Sequence, residues 1–108
     1  MNEVIAKVEE QLIKENLTFK SKPILIGGMA MEYYGIRKSG ADIDLVITGE
    51  DYEQLAGIYP DKRKDIYGDL GVTPGIFEIW RSIALLDYEF FLKEAIEEER
   101  VYVISIDR

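Results

Sequence analysis

Four short β-rich runs punctuate this 108-residue chain: ILI at 24–26, DIDLVIT at 42–48, IFEIW at 76–80 and VYVIS at 101–105. Segments with helical spacing or turn chemistry separate them. A strand buries its apolar face only by pairing with other strands under a covering layer, so this alternation confines the fold to helices packed on a sheet. The second run is the clearest. Ile43, Leu45 and Ile47 alternate with Asp42, Asp44, Val46 and Thr48, a period of two that predicts a strand with one apolar face. Its other face begins with two carboxylates and ends in Val and Thr.

The intervening segments read as follows. Val4, Val8 and Leu12, with Ile5 and Leu17 near the same face, predict an amphipathic helix over roughly residues 2–16, and Pro23 disfavours helix before it. ILI stops at Gly27 and Gly28, and MAMEYYG follows, so residues 23–35 read as strand, tight turn and helix, with Gly35 as the stop. Thr48 and Asp51 match a capping box for a helix through about Ile58, closed by Pro60. DKRKDIYGDLGVTPG reads as turn-rich, with a short strand near Ile66. Residues 82–98 admit either a short helix around DYEFFLKEA or a helix continuing to Glu98. The expected order is α β α β α β, a short helical stretch and β: an α/β sandwich on one mixed sheet.

Composition removes much chemistry. The chain has no cysteine and no histidine, which excludes disulfides, thiol nucleophiles, serine triads of the usual kind and His-ligated zinc. Acid–base or metal chemistry falls to carboxylates, Lys, Tyr or backbone, and hard cations such as magnesium or manganese suit oxygen ligands. A net charge of -8 disfavours broad capture of nucleic acid, and the one basic cluster, DKRKD at 61–65, reads as a solvated turn between acids. No run of 18 apolar residues exists and the start lacks the apolar stretch of a signal peptide. The expectation is a cytoplasmic protein with no membrane partner.

Glycines at a strand-to-helix turn let backbone approach a ligand closely, and the helix aims free N–H groups at it. Gly27 and Gly28 therefore read either as a phosphate site or merely as a turn; they match neither a Walker loop nor Gly-x-Gly-x-x-Gly. Asp42 and Asp44, two apart on a strand, share a face at about 6.5 Å between Cα atoms. They repel one another unless a cation compensates or water solvates them. Glu78 stands among apolar neighbours in IFEIW, where a carboxylate asks for a partner. If its strand lies beside the aspartate strand, it completes a three-carboxylate cluster. If it lies on an edge, it faces water.

Gly-Gly, a helix, Tyr-Gly-x-Arg, Asp-x-Asp on a strand and a lone acid on a later strand together resemble the nucleotidyltransferase superfamily, the DNA polymerase β-like minimal enzymes, and within it the Gly-Gly subgroup that includes toxin–antitoxin members. The likeness rests on residues 25–48, supported by GIFEIW at 75–80 and VYVIS. It implies an α/β (α+β) nucleotidyltransferase-like fold: a small mixed sheet flanked by helices as a single core over residues 1–108, to which many relatives add a C-terminal helical extension, so that the sequence reads either as a very small member or as a piece of a longer one. It implies backbone of Gly27 and Gly28, with Arg37 and Ser39, for the triphosphate. Asp42 and Asp44 bind magnesium or manganese, and Glu78 acts as a third ligand or as acceptor of the attacking hydroxyl's proton. The chain departs from the usual pattern at Gly28, where many members carry Ser, at Glu78, where many carry Asp, and in the RKSGAD loop, which is one residue longer.

Three readings follow. The first is a magnesium-dependent enzyme moving NMP from an NTP to a hydroxyl on a protein, small molecule or RNA. The second is a nucleotidyltransferase-like binding or regulatory module, such as a toxin–antitoxin component, that catalyses little. The third is an α/β domain whose acids are only surface. Tyr33, Tyr34, Phe77 and Trp80 read either as a contact patch for a partner protein or homodimer, or as core.

Overall fold

A computed structural model describes residues 2–106. Helix α1 spans Glu3–Lys14, its first turn capped by the Asn2 side chain, which accepts from the Val4 N–H at 2.8 Å. Strand β1 (Ile24–Ile26) runs straight into α2 (Gly27–Tyr33), so the expected tight turn is absorbed into the helix start. Strand β2 (Ile43–Val46) follows, then α3 (Gly49–Ile58). The Thr48 hydroxyl caps α3 by accepting from the Asp51 N–H at 3.1 Å. The reciprocal half of the expected box is absent. The buried Asp51 carboxylate instead accepts the backbone N–H groups of Lys20 at 3.0 Å and Ser21 at 3.1 Å, tying α3 to the segment before β1.

The stretch expected to be mainly turn is a hairpin. After a 3-10 turn at Pro60–Lys62 come β3 (Arg63–Ile66) and β4 (Asp69–Val72), so the basic cluster is solvent-exposed as expected but starts in that turn and continues as a strand. Tyr67 and Gly68 join them with φ of 52° and 94°, the paired left-handed geometry that matches the twist of a two-residue hairpin. Strand β5 (Phe77–Trp80) corresponds to IFEIW. In residues 82–98 the short helix is the alternative that forms, as α4 (Tyr88–Leu92), preceded by a small hairpin, β6 (Ser82–Ile83) with β7 (Leu86–Asp87), and followed by β8 (Ile96–Glu97). Strand β9 (Tyr102–Val103) ends the series.

Seven strands form one mixed sheet in the order β3-β4-β5-β2-β1-β9-β8, larger than the small sheet expected. Strands β2 and β5 are parallel, as are β1 and β9; the other neighbours are antiparallel. Leu25, Leu45, Ile79, Val72 and Val103 join the main core with α1, α2 and α3. On the opposite face, Ile24 and Val46 pack with Tyr88 of α4 in a smaller cluster. Val46 is thus buried although it was expected on the open side of its strand, because α4 covers that end. Phe77 and Trp80 are core. Tyr33 and Tyr34 are half-buried and tie α2 to the C-terminal strands, their hydroxyls donating to Glu98 at 2.7 Å and to the Ile104 carbonyl at 2.8 Å.

Candidate functional site

The parallel pairing of β2 with β5 brings Asp44 opposite Glu78, and the antiparallel pairing of β1 with β2 brings Ile26 opposite Asp44. Neighbouring strands lie about 4.8 Å apart, and residues in lateral register project to the same face. Asp44 and Glu78 therefore share the sheet face that carries Val46 and Trp80, at the end α4 leaves open. Asp42 lies one residue before β2 and is exposed; Asp44 and Glu78 are half-buried. None of the three carboxylates has an ion-pair or hydrogen-bond partner among the described residues.

That lack of compensation shows in the titration of Asp44. Burial first, then the charge of Glu78, then that of Asp42, push its carboxyl up to about 6. All three effects penalise the ionised form. The carboxylate also abuts the start of α2. Gly27 has φ of +70°, and a Cβ there would drive into the Asp44 carboxylate. Glycine is thus required twice, for the left-handed backbone and for the close approach. The first turn of a helix leaves N–H groups without intrahelical partners, and no side chain caps α2.

Gly28 faces the loop that returns to β2. A Cβ on it would lie 3.3 Å from the Ser39 Cβ. Ser39 is committed: its hydroxyl donates to Glu32 Oε1 at 2.6 Å and its N–H donates to the same oxygen at 3.0 Å. These two bonds are the main reason the Glu32 carboxyl is held below its ordinary range. Arg37 is exposed on the same loop, with no ion pair among the described residues. The structure thus gathers Gly27, Asp44 and Glu78 closely, sets Asp42 within charge range, and brings Ser39 against Gly28. Arg37 is exposed to solvent. Sequence reasoning missed Glu32; its contact arises only when the loop folds back, and no local spacing announces it.

The donor set suits a hard cation, being all oxygen and carrying uncompensated negative charge. Among the described residues no group of three or more Asp or Glu side chains is gathered closely enough to hold an ion. A magnesium ion commonly uses one or two carboxylates and completes its shell with water and phosphate oxygens, which this arrangement allows. Four cavities of about 390, 280, 440 and 240 Å³ are lined by other residues, and neither Asp44 nor Glu78 borders any of them. Comparison with family models, curated proteins and solved structures gives no match to this chain.

Proposed function

We propose that the chain is a magnesium-dependent nucleotidyltransferase with a nucleotidyltransferase-like fold, transferring NMP from an NTP to a hydroxyl acceptor whose oxygen attacks the α-phosphorus and displaces pyrophosphate. One observation carries the reading. Asp44 and Glu78 are in register on adjacent parallel strands, uncompensated, with Asp44 against a glycine whose backbone opens α2. In this reading the backbone at Gly27 and Gly28 holds the triphosphate and Arg37 adds positive charge to it. Glu78 accepts the proton of the attacking hydroxyl. Asp42 and Asp44 would hold magnesium or manganese, with water and phosphate oxygens completing the shell, and the cation would neutralise charge on those phosphate oxygens. The Ser39 hydroxyl, expected at the triphosphate, is taken up by Glu32 and serves the loop.

Titration calorimetry with each of the four NTPs, with and without magnesium, tests this. Metal-dependent binding that Asp42→Asn combined with Asp44→Asn abolishes is the expected result; unchanged binding in the double variant sinks the metal site. A second reading, a nucleotidyltransferase-like regulatory module with little catalysis, draws on the open setting of the carboxylates, outside the four cavities. It predicts no NTP binding and a stable complex with a protein partner or a second copy.

A further inference from the structure

We propose that Glu32 is a positioning residue for this site, acting as the main anchor of the loop that joins α2 to β2. The inference rests on the nucleotidyltransferase reading for its purpose, though not for its geometry. The loop leaves α2 through Gly35, at φ of +77°, with the N–H groups of Gly35 and Ile36 donating back to the carbonyls of Glu32 and Met31. It re-enters order at Ile43, whose N–H donates to the Ile76 carbonyl. Of residues 37–42, only Ser39 is hydrogen-bonded to another part of the described chain. Both of its oxygen-directed bonds end on one atom, Glu32 Oε1, and its hydroxyl also lies 3.3 Å from the Met29 sulfur.

The anchor sits where it matters. Ser39 packs closely on Gly28, where a Cβ would lie 3.3 Å from the Ser39 Cβ, so Glu32 holds the loop against the first turn of α2. Arg37 lies two residues before the anchor and Asp42 three residues after it. Releasing Ser39 frees both while leaving Asp44 and Glu78 in the sheet ladder. Glu32 touches none of the atoms assigned to nucleotide or metal; its strongest ties to the loop are the two bonds from Ser39, with a smaller attraction to Lys38 on the same loop. One carboxylate oxygen accepting both an N–H and an O–H makes two charge-assisted bonds, and a loop held at one residue loosens readily when that hold is removed.

The test compares Glu32→Ala, Ser39→Ala and Glu32→Gln with wild type. Glutamine keeps an oxygen able to accept both bonds. Amide hydrogen exchange on the ligand-free protein is the first readout: the Ser39 N–H exchanges at least about tenfold faster in Glu32→Ala. Amides of α2 and β2 stay protected, and Glu32→Gln remains near wild type. Unchanged Ser39 exchange in Glu32→Ala overturns the anchor. Calorimetry with magnesium and the NTPs is the second readout. Affinity falls about tenfold or more in Glu32→Ala and Ser39→Ala and recovers in Glu32→Gln. Wild-type affinity alongside a loosened loop overturns the positioning role. No NTP binding by the wild-type chain overturns the functional reading, and with it the purpose assigned to the anchor, while exchange still decides the geometry.

Discussion

The two faces of the same strands solve different problems. Toward α1, α2 and α3, strands β1, β2 and β5 present Leu25, Ile43, Leu45, Phe77 and Ile79, all fully buried. On the reverse, one end is covered by α4 over Ile24 and Val46, while the other end carries Asp44 and Glu78. The first face is built for stability alone. The second spends part of its area on acids that repel one another and are half removed from water. A chain this small has little stability to spare, so the first face must carry the fold while the second tolerates a penalty.

The largest expected effect probes the first face. Phe77→Ala deletes a fully buried ring from the main core and costs about 3–5 kcal/mol, measured by urea unfolding. A loss no larger than that of an exposed substitution breaks the comparison. Next comes the junction of the faces. Gly27→Ala combines a left-handed backbone, costing a residue with Cβ about 1–2 kcal/mol, with a collision against the Asp44 carboxylate. Stability falls and metal-dependent NTP binding goes with it. A variant that binds NTP normally removes Gly27 from the site.

Asp44 sharpens the contrast in the opposite direction, because its substitution stabilises. The folded carboxyl titrates near 6, above its ordinary 3.8, so between those values the folded state binds more protons than the unfolded one. The contribution of Asp44 to stability therefore falls as pH rises from about 4 to about 6. Asp44→Asn removes that loss. Its Tm exceeds wild type by about a few degrees at pH 7, after allowance for solvent screening at a half-buried group, and matches wild type below about pH 3.8. Thermal melts across pH check the sign. Magnesium at pH 7 narrows the gap by stabilising only the wild-type protein; a gap indifferent to both pH and magnesium removes the charge penalty from the second face.

Much of the first face was legible in the sequence. The alternation of Ile43 and Leu45, the Thr48 cap and the apolar run around Phe77 are local patterns, and local patterns survive folding. The pairing of Asp44 with Glu78 was legible only as a conditional, since lateral register is a property of two distant strands. The second face was mostly hidden. Ala84 and Leu85 turn the small hairpin with φ of 52° and 64°, without the Gly or Asn that usually announces such a turn. What holds them is Asp69 from another hairpin, accepting from Ser82 Oγ at 2.8 Å, the Ala84 N–H at 2.7 Å and the Leu85 N–H at 2.8 Å. The burial of Val46 depends on Tyr88, and the loop anchor depends on Glu32; both contacts are tertiary and leave no periodic trace.

The smallest expected effect asks how firmly the second face is closed. Tyr88 is buried over Ile24 and Val46, and its hydroxyl donates to the Lys22 carbonyl at 2.7 Å. Tyr88→Phe keeps the ring and removes the bond, costing about 0.5–1.5 kcal/mol. Because α4 is only Tyr88–Leu92 and rests on the smaller cluster, the loss belongs to local opening. Amide exchange rises in α4 and its neighbouring hairpin while β2 and β5 keep their protection. Uniformly faster exchange across the sheet instead makes the two faces one cooperative unit. The acids of the second face would then tax the whole fold and not merely its cover.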